Sequence, residues 1–218
     1  ASAQTLNDLS DFNSFSVGNS QATAFTATAS TSASSGSHTV EVTSVARAQR
    51  SNMVADGPAD FTSTTQTLNS GTAFDLTVAI GPDGNQTSHT VSVTAATPAG
   101  IVSAMNAADL GITARLTDVG TSGTSYKIQL TGESGTDKAF SITPSVNSLL
   151  TTATPTGQTA ANADLTVDGL QFSRATNSIN DIIPGVTLDL NAATSGAANM
   201  SINQDTSAAK TKITDFVA

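Results

Sequence analysis

The chain lacks cysteine and tryptophan, and it has few aromatic or charged residues. Of its 218 residues, 4% are aromatic and 11% are charged, whereas about a quarter are charged in an average soluble protein. Without cysteine no disulfide can form, so the fold must be held by packing and hydrogen bonds alone. We therefore expect small aliphatic cores under a surface of Thr, Ser, Ala, Asn and Gly, which is typical of a secreted protein.

Positive charge is scarce as well. The 8 Lys and Arg residues are outnumbered by 17 Asp and Glu residues, which gives a net charge of −9. Nucleic-acid binding requires cations that neutralise phosphates, so we expect no nucleic-acid partner. The sequence has no run of 18 apolar residues and no basic start followed by an apolar block. It therefore predicts neither a membrane-spanning helix nor a signal peptide.

The residue types needed for catalysis are sparse. Catalysis by Ser or Thr requires a positioned base, usually histidine, and His38 and His89 each lie where a polar turn meets a predicted strand. We interpret both as exposed strand-end residues. The glutamates are Glu41 and Glu133, and the aspartates are scattered mainly in predicted turns, where their side chains bond to nearby backbone amides. We therefore expect no catalytic residue and no enzyme.

Metal and cofactor sites are not predicted either. Asp83-Gly84-Asn85 resembles the opening of a calcium loop, but the later acidic ligands are missing. The glycine-rich segments 120–123 and 132–135 lack the lysine and the following helix of a phosphate-binding loop, and we interpret them as turns. The sequence thus gives no metal ligand and no cofactor-binding residue.

Most of the chain alternates between apolar and polar residues, which predicts half-buried antiparallel strands. The class that follows is mainly β with few short helices. The alternating runs are Val40/Val42, Phe74/Leu76/Val78/Ile80, Val91/Val93, Tyr126/Ile128/Leu130, Leu165/Val167, Val186/Leu188/Leu190 and Met200/Ile202.

Helical spacing occurs in three places. Thr97-Pro98 predicts the start of a helix with an apolar face, and Gly111 is placed to end it. Residues 1–20 and 206–218 also show helical spacing, and we interpret them as the ends of two longer helices. The apolar positions are Ile101, Val102, Met105 and Ala108 in the first helix, Leu6, Leu9, Phe12 and Phe15 at the start, and Ala209, Ile213, Phe216 and Val217 at the end.

Two polar, flexible-looking stretches divide the chain into domains. Segments 51–70 and 145–162 flank a compact ββαββ unit, which indicates a domain inserted into a loop of another domain. We predict an outer domain from residues 21–70 and 156–205, and an inserted domain from residues 71–155. The inserted domain should have a core of Phe74, Leu76, Val78, Ile101, Met105, Leu116, Ile128 and Leu130.

The segment from Ala163 to Leu190 carries the most specific pattern. Two alternating runs meet at Asp168-Gly169, a short apolar helix candidate follows Asn177, and Pro184-Gly185 precedes a third run. We expect both glycines to hold turns with positive φ. This order of parts resembles the head of the flagellar filament cap family, also called hook-associated protein 2.

Other segments resemble the same family. Val45-Ala46-Arg47-Ala48-Gln49 is similar to a strand-flanking segment of the cap head. Phe74 to Gly132 resembles the "IN" motif of flagellin and hook proteins, with Met105-Asn106-Ala107 and Leu130-Thr131-Gly132 departing from the usual Ile-Asn-Ala and Leu-Thr-Ser-Gly. Thr214 to Val217 is similar to the start of the family's second leg helix.

The resemblance implies a structural role outside the cell. It implies two head domains, one inserted into the other, with helical legs at both ends. The expected function is a cap at the filament tip that promotes flagellin folding and polymerisation. Expected partners are further copies of the chain and flagellin, with mucin or host glycans in an adhesive role. The alternative interpretation is a secreted β-rich adhesin or carbohydrate-binding module, although the sequence offers few aromatic platforms.

Overall fold

The computed structural model describes residues 14–55, 60–120, 125–146, 150–151, 155–207, 210 and 214. In these ranges the chain is mainly β, as predicted, with sixteen strands and one α-helix that is described over its whole length, α1 (Pro98–Ala107). The strands before α1 are β1 (Phe15–Asn19), β2 (Phe25–Ala29), β3 (Gly36–Ser44), β4 (Ala48–Ala55), β5 (Phe74–Ile80) and β6 (Thr87–Val93). The strands after it are β7 (Thr113–Asp118), β8 (Tyr126–Ser134), β9 (Phe140–Pro144), β10 (Leu150–Thr151), β11 (Pro155–Gln158), β12 (Ala163–Val167), β13 (Leu170–Arg174), β14 (Ser178–Ile179), β15 (Val186–Leu190) and β16 (Ala198–Gln204).

The chain divides into two compact units. Unit 1 comprises Ala1–Val45 and Ala163–Ala218, and unit 2 comprises Ala46–Asn162. Unit 2 is therefore contained in the connection between two segments of unit 1. In unit 1 those segments are joined directly, since Asp164 of β12 pairs with Ser44 of β3.

Unit 1 contains two antiparallel sheets. The larger has the strand order β1-β16-β3-β12-β13, and the smaller has the order β14-β15-β2. Alternate residues along these strands are buried, as the period-two pattern predicts. The large buried side chains are aliphatic apart from one phenylalanine: Phe25, Val40, Val42, Leu165, Val167, Ile179, Ile183, Val186, Leu188, Leu190, Met200 and Ile202.

Unit 2 also contains two sheets, together with helix α1. One sheet has the order β10-β4-β8-β7 with β11 paired to β4, and the other has the order β6-β5-β9. Helix α1 packs against β6 and β7. Seven of the eight predicted core residues are buried in one cluster, and Leu116 is partly buried against it. The cluster also contains Met53, Phe61, Leu68, Val91, Val93, Ala96, Ile112, Ala114, Phe140 and Ile142.

The predicted helix signals are confirmed in α1. The Thr97 hydroxyl accepts a hydrogen bond from Gly100 N at 3.0 Å, and Pro98 opens the helix, so one otherwise unpaired amide is satisfied. Ile101 and Met105 are buried on one face. Gly111, with φ of 73°, follows the helix in the conformation that glycine tolerates best.

Two predicted helical segments are wrong in part. Phe15–Asn19 is strand β1, which pairs with β16, so the helical spacing does not reach residue 20; residues 1–13 lie outside the described range. The predicted helix after Asn177 is not formed. Ser178 and Ile179 pair with Asp189 and Leu188 instead, because the apolar side chain of Ile179 is buried through sheet pairing. Of the predicted helix 206–218, the described residues Ser207, Lys210 and Thr214 are helical.

The structure places the domain boundary earlier than the predicted residue 71. Strand β4 pairs with β8, and Met53, Phe61 and Leu68 belong to the unit 2 core, so residues 46–70 lie in unit 2. The second boundary falls after Asn162 rather than after residue 155. Strand β4 was not predicted from the sequence because two of its three buried residues, Gln49 and Ser51, are polar.

The two turn glycines of unit 1 have the predicted positive φ, 83° at Gly169 and 75° at Gly185. Their surroundings differ. A Cβ on Gly169 would meet no atom within 4 Å, whereas one on Gly185 would lie 2.6 Å from Ala33 N. Gly185 O also accepts a hydrogen bond from Ser30 N at 2.8 Å. Position 185 therefore requires glycine both for its positive φ and for the close approach of the backbone at residue 33. Position 169 requires glycine for its positive φ alone.

We expect Gly169→Ala to lower the free energy of unfolding by about 1 kcal/mol, which is the cost of a left-handed residue with a Cβ. Gly185→Ala should cost about 2–4 kcal/mol, because steric overlap with residue 33 is added to that cost. Urea unfolding followed by circular dichroism measures both. Gly169→Asn is the control, since asparagine tolerates this conformation and should cost less than alanine. Equal losses for the two alanine variants would contradict the steric argument.

We expect unit 1 to fold without unit 2. Deletion of residues 46–162, with a short Gly-Ser linker from Val45 to Ala163, should leave one cooperative thermal transition, because Ser44 and Asp164 are already paired neighbours. Deletion of residues 71–155 is the matched control. It should give aggregation or loss of cooperativity, because it removes β8 and leaves Met53, Phe61 and Leu68 without their core. A non-cooperative melt of the first deletion would contradict the independence of unit 1.

Candidate functional site

A buried glutamine joins the two sheets of unit 2. Gln49 of β4 is 5% exposed. Its amide nitrogen donates to Phe140 O at 2.7 Å and to Ser51 Oγ at 3.1 Å, and its Oε1 accepts from Phe140 N at 3.0 Å. Phe140 belongs to β9 in the other sheet, so the side chain pairs with the free edge of β9 as a neighbouring strand would. Gln49 is the glutamine of the segment that resembles the cap family, and its role is structural.

Asn106 has a comparable position at the end of α1. Its Nδ2 donates to Ala114 O at 2.9 Å, and its Oδ1 accepts from Ala114 N at 2.8 Å. Both hydrogen bonds go to strand β7, so the side chain attaches the helix to the sheet. The asparagine of the "IN" motif thus contributes a pair of backbone contacts, and sequence reasoning had assigned it no role.

The hairpin between β12 and β13 has a hydrogen-bonded His–Asp pair at its turn. Asp168 (φ 50°) and Gly169 (φ 83°) form a two-residue turn of type I′ geometry. Asp168 Oδ2 lies 2.7 Å from His38 Nδ1, and Oδ1 accepts from Thr39 N at 2.8 Å. The hydrogen bond from His38, with that from Thr39 N, lowers the pKa of the Asp168 carboxyl below its usual value. His38 therefore fastens the hairpin to β3, and it lies within β3 rather than at its start.

Strand β13 is one of the two edge strands of the large sheet in unit 1. Phe172 pairs with Leu165, and Leu170 pairs with Val167, so both side chains extend the buried face of β12. Leu170 is nevertheless 65% exposed, the one large apolar side chain so exposed in the described part of the chain. Phe172 is half-buried, and the Arg174 guanidinium lies 5.5 Å from its ring centre.

Arg174 is held in turn by a carboxylate. Its Nη2 lies 2.9 Å from Asp181 Oδ2, and its Nε donates to both oxygens of that carboxylate. The hydrogen bonds from Arg174 lower the pKa of Asp181 below its usual value. The guanidinium therefore remains over the Phe172 ring and covers part of the apolar surface that Leu170 and Phe172 form on β13.

His89, the other histidine, is exposed on β6. It lines an open cleft of about 550 Å³ together with Asp109, Glu133, Asp137 and Lys138. The Lys138 ammonium lies 2.7 Å from Glu133 Oε2, so these two charges pair with each other. Within the described ranges, no three His, Cys, Asp or Glu side chains are grouped so that they could hold a metal ion. No described helix is long and apolar enough to cross a membrane.

The remaining sequence candidates are only partly placed in turns. Pro82 to Asn85 forms the turn between β5 and β6, with Asn85 N donating to Pro82 O at 3.0 Å. Gly132 lies within strand β8 rather than in a turn, and Gly135 has φ of 102°. Segment 121–124 lies outside the described residues. His38 belongs to unit 1 and His89 to unit 2.

We expect Gln49→Met to lower the free energy of unfolding by at least about 2 kcal/mol, because it leaves the N–H and C=O of Phe140 without these partners at a buried site. Urea unfolding gives the value. Gln171→Met, at an exposed position of β13, is the control and should change stability by less than about 0.5 kcal/mol. A small loss for Gln49→Met would show that Phe140 is satisfied in another way.

The Asp168 carboxylate should make the free energy of unfolding depend on pH in one direction. Its pKa is lower in the folded state, so its contribution is present above about pH 4 and is lost as the pH falls through the folded value. The pair is partly exposed, so Asp168→Asn should cost less than about 1 kcal/mol at neutral pH. Glu41→Gln, an exposed site on β3, controls for the loss of one charge. A difference from wild type that grows on acidification would contradict this assignment.

Two family models match the ends of the chain. The model of the flagellar hook-associated protein 2 N-terminus matches residues 1–49, and that of the C-terminus matches residues 160–218. These ranges nearly coincide with the two segments of unit 1.

Sequence relatives carry the same description. Flagellar hook-associated protein 2 of Escherichia coli strain K12 is 31% identical over 234 aligned residues, which cover 99% of this chain and 47% of the relative. The protein of the same name from Treponema pallidum is 44% identical over 59 residues, covering 27% of this chain and 8% of the relative. The chain spans about half the length of the Escherichia coli relative and a smaller share of the Treponema one.

Solved structures agree over nearly the whole chain. The crystal structure of the D1-D2-D3 domains of the flagellar cap protein FliD from Escherichia coli aligns with a TM-score of 0.76 at 26% identity, covering 99% of this chain and 65% of that one. The D2-D3 domains of the same protein align with a TM-score of 0.66 at 26% identity, covering 88% of this chain and 100% of that one. Matches at both ends, in sequence and in fold, lead to one conclusion: the chain belongs to the flagellar hook-associated protein 2 family.

Proposed function

We propose that this chain forms the head of a cap at the distal tip of a bacterial flagellar filament. There it acts outside the cell as a scaffold that promotes the folding and polymerisation of flagellin. The observation that carries this proposal is the agreement of fold with the Escherichia coli cap protein over 99% of the chain, at a TM-score of 0.76.

The physical make-up of the chain supports such a role. A scaffold acts through surfaces held in fixed positions, and here side chains such as Gln49 and Asn106 connect sheets and helix through backbone hydrogen bonds. The absence of cysteine suits a protein that passes unfolded through an export channel and then folds by packing alone. We therefore assign the protein to the filament tip, in the extracellular space.

A cap requires each head to contact its neighbours in the ring through two different surfaces, a head-to-tail arrangement that closes by rotation. Leu170 is the one large apolar side chain that is strongly exposed in the described part of the chain. Such head contacts are consequently small and polar. The assembly then depends on the remaining parts of the full-length protein, which raise the effective concentration of the heads by tethering.

A secreted adhesin or carbohydrate-binding module is the alternative, and attachment to mucin or host glycans is a secondary role that the family resemblance suggests. Sugar sites usually contain open aromatic platforms. In the described ranges the aromatic side chains are buried or half-buried, and the Phe172 ring is covered by Arg174. We therefore favour the scaffold, and adsorption to immobilised mucin tests the adhesive role.

A chimera tests the scaffold function directly. The segment of Escherichia coli hook-associated protein 2 that aligns with this chain is replaced by this chain, and the chimera is expressed in a strain without its own cap protein. We expect filament growth and swimming to be restored at least in part. The control chimera carries Gly185→Ala, which should be exported but less stable. If flagellin monomers accumulate in the medium although the unmutated chimera is exported, the proposal is overturned.

The isolated 218-residue chain should sediment mainly as a monomer in dilute solution, because a small polar contact supports only micromolar to millimolar affinity. The full-length protein should form a discrete oligomer of a few subunits. Analytical ultracentrifugation of both proteins over a concentration series measures this. A full-length protein that remains monomeric at high concentration would contradict the cap, and a tight two-fold dimer of the chain would contradict head-to-tail ring contacts.

A further inference from the structure

The chain contains three Asp-Gly steps, which are chemically reactive sequences. They are 56–57, 83–84 and 168–169, and the first lies outside the described residues. At such a step the glycine backbone nitrogen attacks the carboxyl carbon of the aspartate side chain, and one water leaves as a five-membered succinimide forms. Addition of water to either carbonyl opens the ring, giving aspartate or isoaspartate. No electron is transferred and the overall change is an isomerisation.

Asp83 is exposed in the turn between β5 and β6. Gly84 has φ of 84°, and a Cβ placed on it would meet no atom within 4 Å. Asp83 and Gly84 are both exposed, and no described group forms a hydrogen bond or ion pair with the Asp83 carboxylate. The side chain is thus free to rotate towards the Gly84 nitrogen, and water has access to the products.

Asp168 has the same sequence context and a different environment. Its Oδ2 lies 2.7 Å from His38 Nδ1, while Oδ1 accepts from Thr39 N at 2.8 Å and lies 3.4 Å from Thr39 Oγ1. Its backbone nitrogen also donates to Thr39 O at 3.0 Å. These contacts hold the carboxylate ionised and fixed against β3. The attack needs a mobile carboxyl group that can lose its oxygen as water, and this geometry opposes both requirements.

We propose that Asp83 is a site of spontaneous isoaspartate formation in the folded protein, and that His38 and Thr39 protect Asp168 from the same reaction. The two steps share their sequence and their exposure. They differ in whether the carboxylate is bound. The modified residue at position 83 is a substrate of the class recognised by S-adenosylmethionine-dependent isoaspartyl methyltransferases.

Isomerisation at Asp83 changes the local backbone. Isoaspartate routes the main chain through the side-chain carbon and adds one carbon to the turn. That turn is tight, because a Cβ on Gly81 would lie 2.6 Å from Asn85 O. Gly81 N also donates to Ala139 O at 2.8 Å, next to β9. Ageing of the protein outside the cell should therefore loosen the end of β5 and β6 where it adjoins β9.

The test is peptide mapping of the purified chain after incubation at neutral pH, warm but below its melting transition. Mass spectrometry with electron-transfer fragmentation distinguishes isoaspartate from aspartate, and methylation by an isoaspartyl methyltransferase gives an independent count. One arm uses the folded protein and a second uses the protein in urea. Variants are Asp83→Glu, whose larger ring forms much more slowly, and His38→Ala, which removes one contact of Asp168. Circular dichroism confirms that each variant is folded.

In the folded arm we expect isoaspartate to accumulate at Asp83 several-fold faster than at Asp168. In urea the two sites should convert at similar rates. Asp83→Glu should abolish the signal at position 83, and His38→Ala should raise the rate at Asp168 without changing that at Asp83. The proposal is overturned if Asp83 converts in urea but remains intact in the folded chain. It is equally overturned if Asp168 converts as fast as Asp83 in the folded wild type.

Discussion

The pairing of β3 with β12 is the constraint on which the rest of this architecture depends. Because Ser44 and Asp164 are neighbours in one sheet, the chain between them must leave unit 1 and return to the same place. It does so as a second compact unit with its own core. Within unit 2 the entering and leaving segments are paired too, since Arg47 and Ala161 exchange two backbone hydrogen bonds. An insertion of this kind leaves the sheet of unit 1 uninterrupted.

Polar side chains that pair with the backbone compensate for small aliphatic cores. Gln49 pairs with Phe140, Asn106 pairs with Ala114, and Asp168 binds Thr39. Each side chain satisfies main-chain groups that would otherwise need a further strand or water. All three lie in the segments that resemble flagellar proteins. The family signature in this chain therefore marks points where elements are joined, which is consistent with a scaffold whose function depends on shape.

The hydrogen bonds of Asp168 also determine which Asp-Gly step on the surface can form isoaspartate. Asp83 and Asp168 both precede glycine in exposed turns, but only Asp168 has its carboxylate bound by a histidine and a backbone amide within the described ranges. A contact that fastens a hairpin thus also limits the chemistry of the residue that makes it. In the proposed extracellular role, where a chain is not readily replaced, the chemical durability of turns is part of structural stability.

The sequence by itself determined most strands, helix α1 and the family. Alternation along Phe74–Ile80 and Val186–Leu190 predicts strands because each has one buried face, and Thr97-Pro98 predicts a helix start because capping is local. Tertiary structure alone decided where the units divide. Strand β4 buries the polar residues Gln49 and Ser51 against partners distant in sequence, so its sequence does not show the apolar alternation of a strand. Ile179 is in a strand because it pairs with Leu188. The His38–Asp168 pair likewise joins residues 130 positions apart. Contacts between residues so far apart in sequence leave no local sequence pattern, because they stabilise the protein only once the sheets have formed.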